Sequence, residues 1–165
     1  MAVNITAHRS AKLSDPQVET SENILITAED AEVLSGFAPD TYYDTDEFPD
    51  FVSFTYSRYA QLNRMFSLID TLLEIDWFYR LFTSLEGALD SETCAKYAEV
   101  FELHSASVSA LTAKDLAMCV YEDVEISEAE ASDCEEELGE IKAIYGKINE
   151  LLKYAAHPDG FLIWG

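Results

Sequence analysis

Residues 127–160, SEAEASDCEEELGEIKAIYGKINELLKYAAHPDG, decide how the rest of the chain is read. Cys134, Leu138, Ile141, Tyr145, Ile148, Leu152 and Ala155 recur at alternating spacings of four and three, the seam of a helix packed nearly parallel to a neighbour. Ser127 stands where an N-cap is needed, and His157-Pro158-Asp159-Gly160 ends the pattern. Gly139 and Gly146 lie beside the seam, and each costs about 1 kcal/mol relative to Ala in a helix. Either another backbone approaches there or the glycines are simply tolerated. The run Phe161-Leu162-Ile163-Trp164 is too apolar for a free tail and is expected to fold back onto the body or to pair with another chain. Together with the two glycines it suggests a two-fold homodimer.

Working back from this helix, a second apolar stripe comprises Phe51, Phe54, Arg58, Leu62, Met65, Ile69 and Leu72, widened by Tyr59, Phe66 and Leu73. A stripe this broad predicts a long central helix starting near Phe51. Residues 75–85 (IDWFYRLFTSL) read as a further helix after a break near Asp76. Gly87 and Asp90-Ser91 end one element and cap the next, with Ala95, Ala98, Phe101 and Leu103 facing inward. Thr112 opens another helix through Leu116 and Val120. Thr27 with Asp30 three residues on makes a capping box for a helix reaching Leu34, stopped by Gly36. Residues 38–50 (APDTYYDTDEFPD) carry Pro39, Pro49 and five acids and read as a loop.

These elements predict an all-α or mostly α protein, a single-domain helical bundle with a long C-terminal helix. Residues 1–22 are expected to be a flexible arm and 23–165 a single acidic helical domain. A short strand at 23–27 pairing with 161–164 would make the class α+β. The 165-residue length suffices for one core. No apolar run approaches the roughly 18 residues that span a bilayer, so a cytoplasmic protein without membrane contact is expected.

The charge is what sets this chain apart: 32 acids against 10 bases give −22, on a sequence 48% apolar. That apolar share argues for a folded object rather than a disordered polyanion. Eleven acids and no base lie between Lys12 and Arg58, and ten acids and no base lie in residues 122–140. Clustered cations are absent, so direct nucleic-acid binding is disfavoured. Arg58, Arg64 and Arg80 are expected to pair with acids in or near the core.

Chemistry is sparse. His8, His104 and His157 are far apart, Cys94, Cys119 and Cys134 form no Cys-x-x-Cys pair, and residues 44–55 fail as a calcium loop because Phe48 and Pro49 stand where an oxygen ligand and a Gly belong. No metal, cofactor or catalytic residue is assigned, and an enzyme is not expected. The expected partner is a basic protein, a nucleic-acid-binding protein or nuclease complex. Its contacts are assigned to Asp40, Tyr42, Tyr43, Asp44, Asp46, Glu47 and Asp50 in the first acidic stretch. In the second they are Glu122, Asp123, Glu125, Glu128, Glu130, Asp133, Glu135, Glu136, Glu137 and Glu140. Carboxylates on a rigid helix would then occupy phosphate positions and block a basic groove, as phage inhibitors of restriction and CRISPR enzymes do; the likeness is one of size and charge. The alternative is an acidic adaptor or chaperone that masks a basic partner through the Tyr-rich acidic loop and exposed apolar patches, without imitating nucleic acid.

Overall fold

The computed structural model describes residues 2–121 and 128–165, and it is not a helical bundle. A six-stranded antiparallel sheet organises it, so the class is mixed α/β. The correction begins at the N-terminus, where the expected arm is the longest strand, β1 (Ala2–Leu13). Val3, Ile5 and Ala7 are buried on one face while Asn4 and Thr6 alternate with them, the two-residue period of a strand. The inward residues shrink to Ala7, and the register slips between Arg9 and Lys12, where Ser10 has φ 57°. This bulge cuts the alternation short and bends the strand.

The remaining strands are β2 (Asn23–Ile26), β3 (Thr41–Glu47), β4 (Val52–Thr55), β5 (Gly87–Asp90) and β6 (Phe161–Trp164). Their order is β2-β3-β1-β6-β5, with β4 also on β1. β1 pairs with β6 through Ile5–His8, with β4 through Ala2–Ile5 and with β3 from His8 onward, so β3 and β4 share the β1 edge opposite β6. The two segments foreseen as partners, 23–27 and 161–164, are both strands, yet they pair with β3 and with β1 and β5 instead. The stretch foreseen as a loop, 38–50, contains β3. Its prolines bracket the strand, and Thr41-Tyr42-Tyr43 are good strand formers.

Helices α1 (Ala28–Val33), α2 (Tyr56–Leu73), α3 (Ser91–Ala110), α4 (Ala113–Tyr121) and α5 (Glu128–Ala155) complete the fold. The capping box of α1 is present as expected, with the Asp30 N–H donating to Thr27 Oγ1 and the Thr27 N–H to Asp30. Helix α2 starts five residues later than foreseen, because Val52 and Phe54 are inward residues of β4. Phe51, Arg58 and Leu103 are exposed rather than inward. Residues 75–85 hold only a single 3₁₀ turn, Phe78–Arg80. Its cause is Asp70, whose buried carboxylate accepts the N–H groups of Trp77, Phe78 and Tyr79 at 3.2, 3.0 and 2.9 Å. The seam of α5 is as read: Cys134, Leu138, Ile141, Tyr145, Ile148, Leu152 and Ala155 are all buried. Ser127, the expected cap, lies outside the described residues.

Two apolar clusters sit on opposite faces of the sheet. Val3, Ile5, Ala7, Val52, Phe54, Leu162 and Trp164 meet the helices α2 to α5. Tyr145 closes this core by donating to the Phe101 carbonyl at 2.7 Å, and Lys142 bonds the Ser109 and Leu111 carbonyls at the end of α3. The second cluster joins Ile26 of β2, Leu34 after α1, Ala88 of β5 and Phe161 of β6. β2 and β5 are the two outermost strands, and this cluster links them through Leu34 and through Phe161 of the β6 strand that lies between them. Among the described residues no helix is long and apolar enough to cross a membrane.

Candidate functional site

The heptad seam of α5 leaves its other positions to solvent, and in the first half of the helix these are carboxylates. Asp133, Glu136, Glu137 and Glu140 follow three-four spacing and border one shallow depression on the outward face. Asp133 and Glu136 are exposed, as are Glu128 and Glu135, while Glu130, Glu137 and Glu140 are partly covered. Arg58 of α2 reaches this group, pairing with Glu140 at 3.0 Å with both side chains half in water. The field of the cluster is felt beneath it: burial pushes the Cys134 thiol pKa up, and Glu137, Asp133 and Glu130 push it further. Beside the acids Gly139 and Gly146 have open space over their Cα atoms and Ala143 is exposed, so this part of α5 is bare backbone. Among the described residues no other part of the chain approaches the two glycines. Glu122, Asp123 and Glu125 lie outside the described residues.

The first acidic stretch is built differently. In β3 the side chains of Tyr42, Asp44 and Asp46 point to one face and those of Tyr43, Thr45 and Glu47 to the other. Tyr43 is no docking anchor: its ring packs edge-on against Phe37 at 5.0 Å, within the second apolar cluster, and its hydroxyl accepts the Ala38 N–H. Asp44 accepts a 2.7 Å bond from Ser14, and Lys12 stands opposite it in register. Arg9 is the register partner of Asp46, with its guanidinium 4.1 Å over the ring of Tyr154, whose hydroxyl donates to the Asp46 carbonyl. Asp40 and Asp50 are exposed at either end. Cations from β1 therefore stand among the β3 acids.

β3 itself does not merge with the α5 row, although the end of the first stretch comes near it: Phe51, next to Asp50, lines a depression with Glu140, Ala143 and Lys147. From Glu137 to Tyr154, which touches β3, α5 runs about 25 Å at roughly 1.5 Å per residue. The site is the outward face of the first half of α5, with β3 a separate, partly compensated patch. Arg58 and Arg80 do find acids, Glu140 and Asp76, at the surface and not in the core.

His8 is a buried titratable group that sequence reading left without a role. It stacks on Phe161 with ring centroids 5.0 Å apart, and both ring nitrogens lie 2.8 Å from hydroxyls, of Thr6 and Thr45. Burial lowers its pKa to about 4. A cleft of about 390 Å³ also went unforeseen: it opens between β2 and β5, beside α1, with Glu29 and Glu86 at its rim. Nothing in the sequence brings residues 29 and 86 together, because they meet only where α1 packs against β5. Among the described residues no group of three His, Cys, Asp or Glu side chains is placed to hold a metal ion. Comparison with protein-family models, curated proteins and solved structures finds no match to this chain.

Proposed function

We propose that this protein binds a basic nucleic-acid-binding protein and inhibits it by presenting the outward carboxylates of α5 where the nucleic-acid backbone would lie. The observation that carries the reading is the row Asp133, Glu136, Glu137 and Glu140 on a rigid, well-seamed helix. Its four charges span about 10.5 Å of axis in steps of about 4.5, 1.5 and 4.5 Å, a mean density of one charge per about 3.5 Å and not an even interval. The interval along one DNA strand is roughly 3.4 Å per phosphate. The bare surface at Gly139, Ala143 and Gly146 lets a partner come close beside those charges. Like charges at these spacings oppose the helix that carries them, which is reasonable for residues kept for a partner. The adaptor reading rests on the Tyr-rich acidic stretch and on exposed apolar patches; Tyr43 is packed inside, which removes one of its anchors.

The test begins with capture from the native host and elution by duplex DNA at constant ionic strength. The purified partner is then assayed for DNA binding with wild-type protein and with D133N/E136Q/E137Q/E140Q. The expected result is competition with DNA, steep weakening by salt and at least a tenfold loss of inhibition in the variant. Simultaneous binding of DNA and this protein to the partner would refute the decoy and return the adaptor.

A further inference from the structure

We propose that the cleft between β2 and β5 is a second contact with such a partner and takes an extended basic segment of it, aliphatic stems inside and cationic heads at Glu29 and Glu86. The inference rests on the reading of the partner as a basic protein.

The cleft joins two features that call for one occupant. Its walls are apolar, from Ile24 of β2, Ala88 of β5 and Ile163 of β6, and Val33 of α1 stands at its mouth 47% exposed. Its charged rim is acidic, with no Lys or Arg among the lining residues. Asp30 is engaged with Thr27 in the cap of α1. Glu29 and Glu86 have no cationic partner among the described residues. A Lys or Arg side chain matches this combination, because its stem buries against apolar surface while its head stays at the charged edge. The shape of the occupant follows from the sheet. β2 and β5 are its outer strands, and both line the cleft. β2 is Asn-Ile-Leu-Ile, an edge without the charge, proline or bulge that usually blunts one. An extended segment lying between two open edges is held by backbone as well as by side chains.

The test is a ¹H–¹⁵N NMR titration of the whole protein at 0.15 M salt with a blocked peptide of four Lys-Val repeats. A Lys-Ser peptide of equal charge and spermine serve as comparisons. The proposal expects saturable shifts at Leu25, Val33, Gly87, Ala88 and Gly165, and affinity at least tenfold weaker for the Lys-Ser peptide. It also expects a tenfold loss in E29Q/E86Q, whose substituted side chains are exposed, while D133N/E136Q/E137Q/E140Q stays within twofold of wild type. Shifts confined to residues 133–140 would overturn the cleft proposal and leave the decoy reading standing. Equal binding of spermine or of the Lys-Ser peptide would overturn the extended apolar-basic occupant. Cleft binding by a protein that competes with no DNA would uphold this proposal and sink the decoy alone.

Discussion

Neutralising the α5 row should make the protein more stable while it disables the proposed site. In D133N/E136Q/E137Q/E140Q the like-charged pairs 133–136, 133–137, 136–140 and 137–140 all disappear. Side chains so spaced are about 5–6 Å apart, and each such pair costs an isolated helix roughly 0.2–0.5 kcal/mol. Coulomb's law at 6 Å in water gives about 0.7 kcal/mol before screening, which agrees in scale. The sum is about 1–2 kcal/mol. Against it stands the loss of the Arg58–Glu140 pair, whose side chains are 57% and 43% exposed; such a surface pair contributes about 0–1 kcal/mol. Helix propensity changes little, and the four positions lie beyond the first turn of α5, where the helix dipole would reward acids. The variant should therefore gain about 1 kcal/mol in urea denaturation at 0.01 M salt, where the Debye length is about 30 Å. At 1 M salt, with a Debye length of about 3 Å, the gain should vanish. A variant equal to or weaker than wild type at low salt would mean that these carboxylates support the fold, and the argument that they are kept at the fold's expense would fail.

Three further outcomes follow from the packing. Ile148→Ala should cost about 2–5 kcal/mol, since the residue is fully buried in the α5 seam; a loss below about 0.5 kcal/mol in chemical denaturation would contradict that burial. His8 is held neutral, its pKa lowered by burial to about 4 against 6.5 for the free group, so as pH falls from about 6.5 to 4 the unfolded chain takes up a proton that the fold refuses. Stability should drop by about 2–3 kcal/mol across that window relative to a His8→Gln variant, and parallel pH profiles for the two proteins would refute the assignment. Gly87→Ala would set a Cβ 2.5 Å from the Trp164 ring, which also lies 5.0 Å from Phe82; a loss of about 1–3 kcal/mol and altered tryptophan emission are expected, and an unchanged urea midpoint would mean the ring can move.

Helices were legible in this sequence where a long period had room to repeat. The α5 seam repeats through seven inward residues, and the caps of α1, α3 and α4 at Thr27, Asp90 and Thr112 stand where sequence placed them. Strands were legible only at 23–27 and 161–164, and there with the wrong partners; β4 and β5 are four residues long and offer too few alternations to outweigh neighbouring helical spacing. Phe54 fits both the helical stripe and the inward face of β4, and only the pairing of Val3 with Phe54 decides between them. β1 did carry its signal in Val3-Asn4-Ile5-Thr6-Ala7, ended by the bulge at Ser10. For the candidate site, the charge of α5 was plain from composition. The division between outward acids and compensated ones was not, since the cations beside Asp44 and Asp46 come from residues 9 and 12 across a strand pair.

The place of β6 bears on how the chain reaches this state. Its four residues fill the slot between β1 and β5, so the middle of the sheet joins sequence positions at opposite ends of the chain. During synthesis β1 emerges well before residues 161–164, and its central edge waits for them. Pairing across so long a loop is slow to form, and until then each nascent chain displays an unpaired strand able to zip onto another copy. All 32 acids precede β6 in the sequence, so the repulsion that keeps copies apart builds up before the sheet closes.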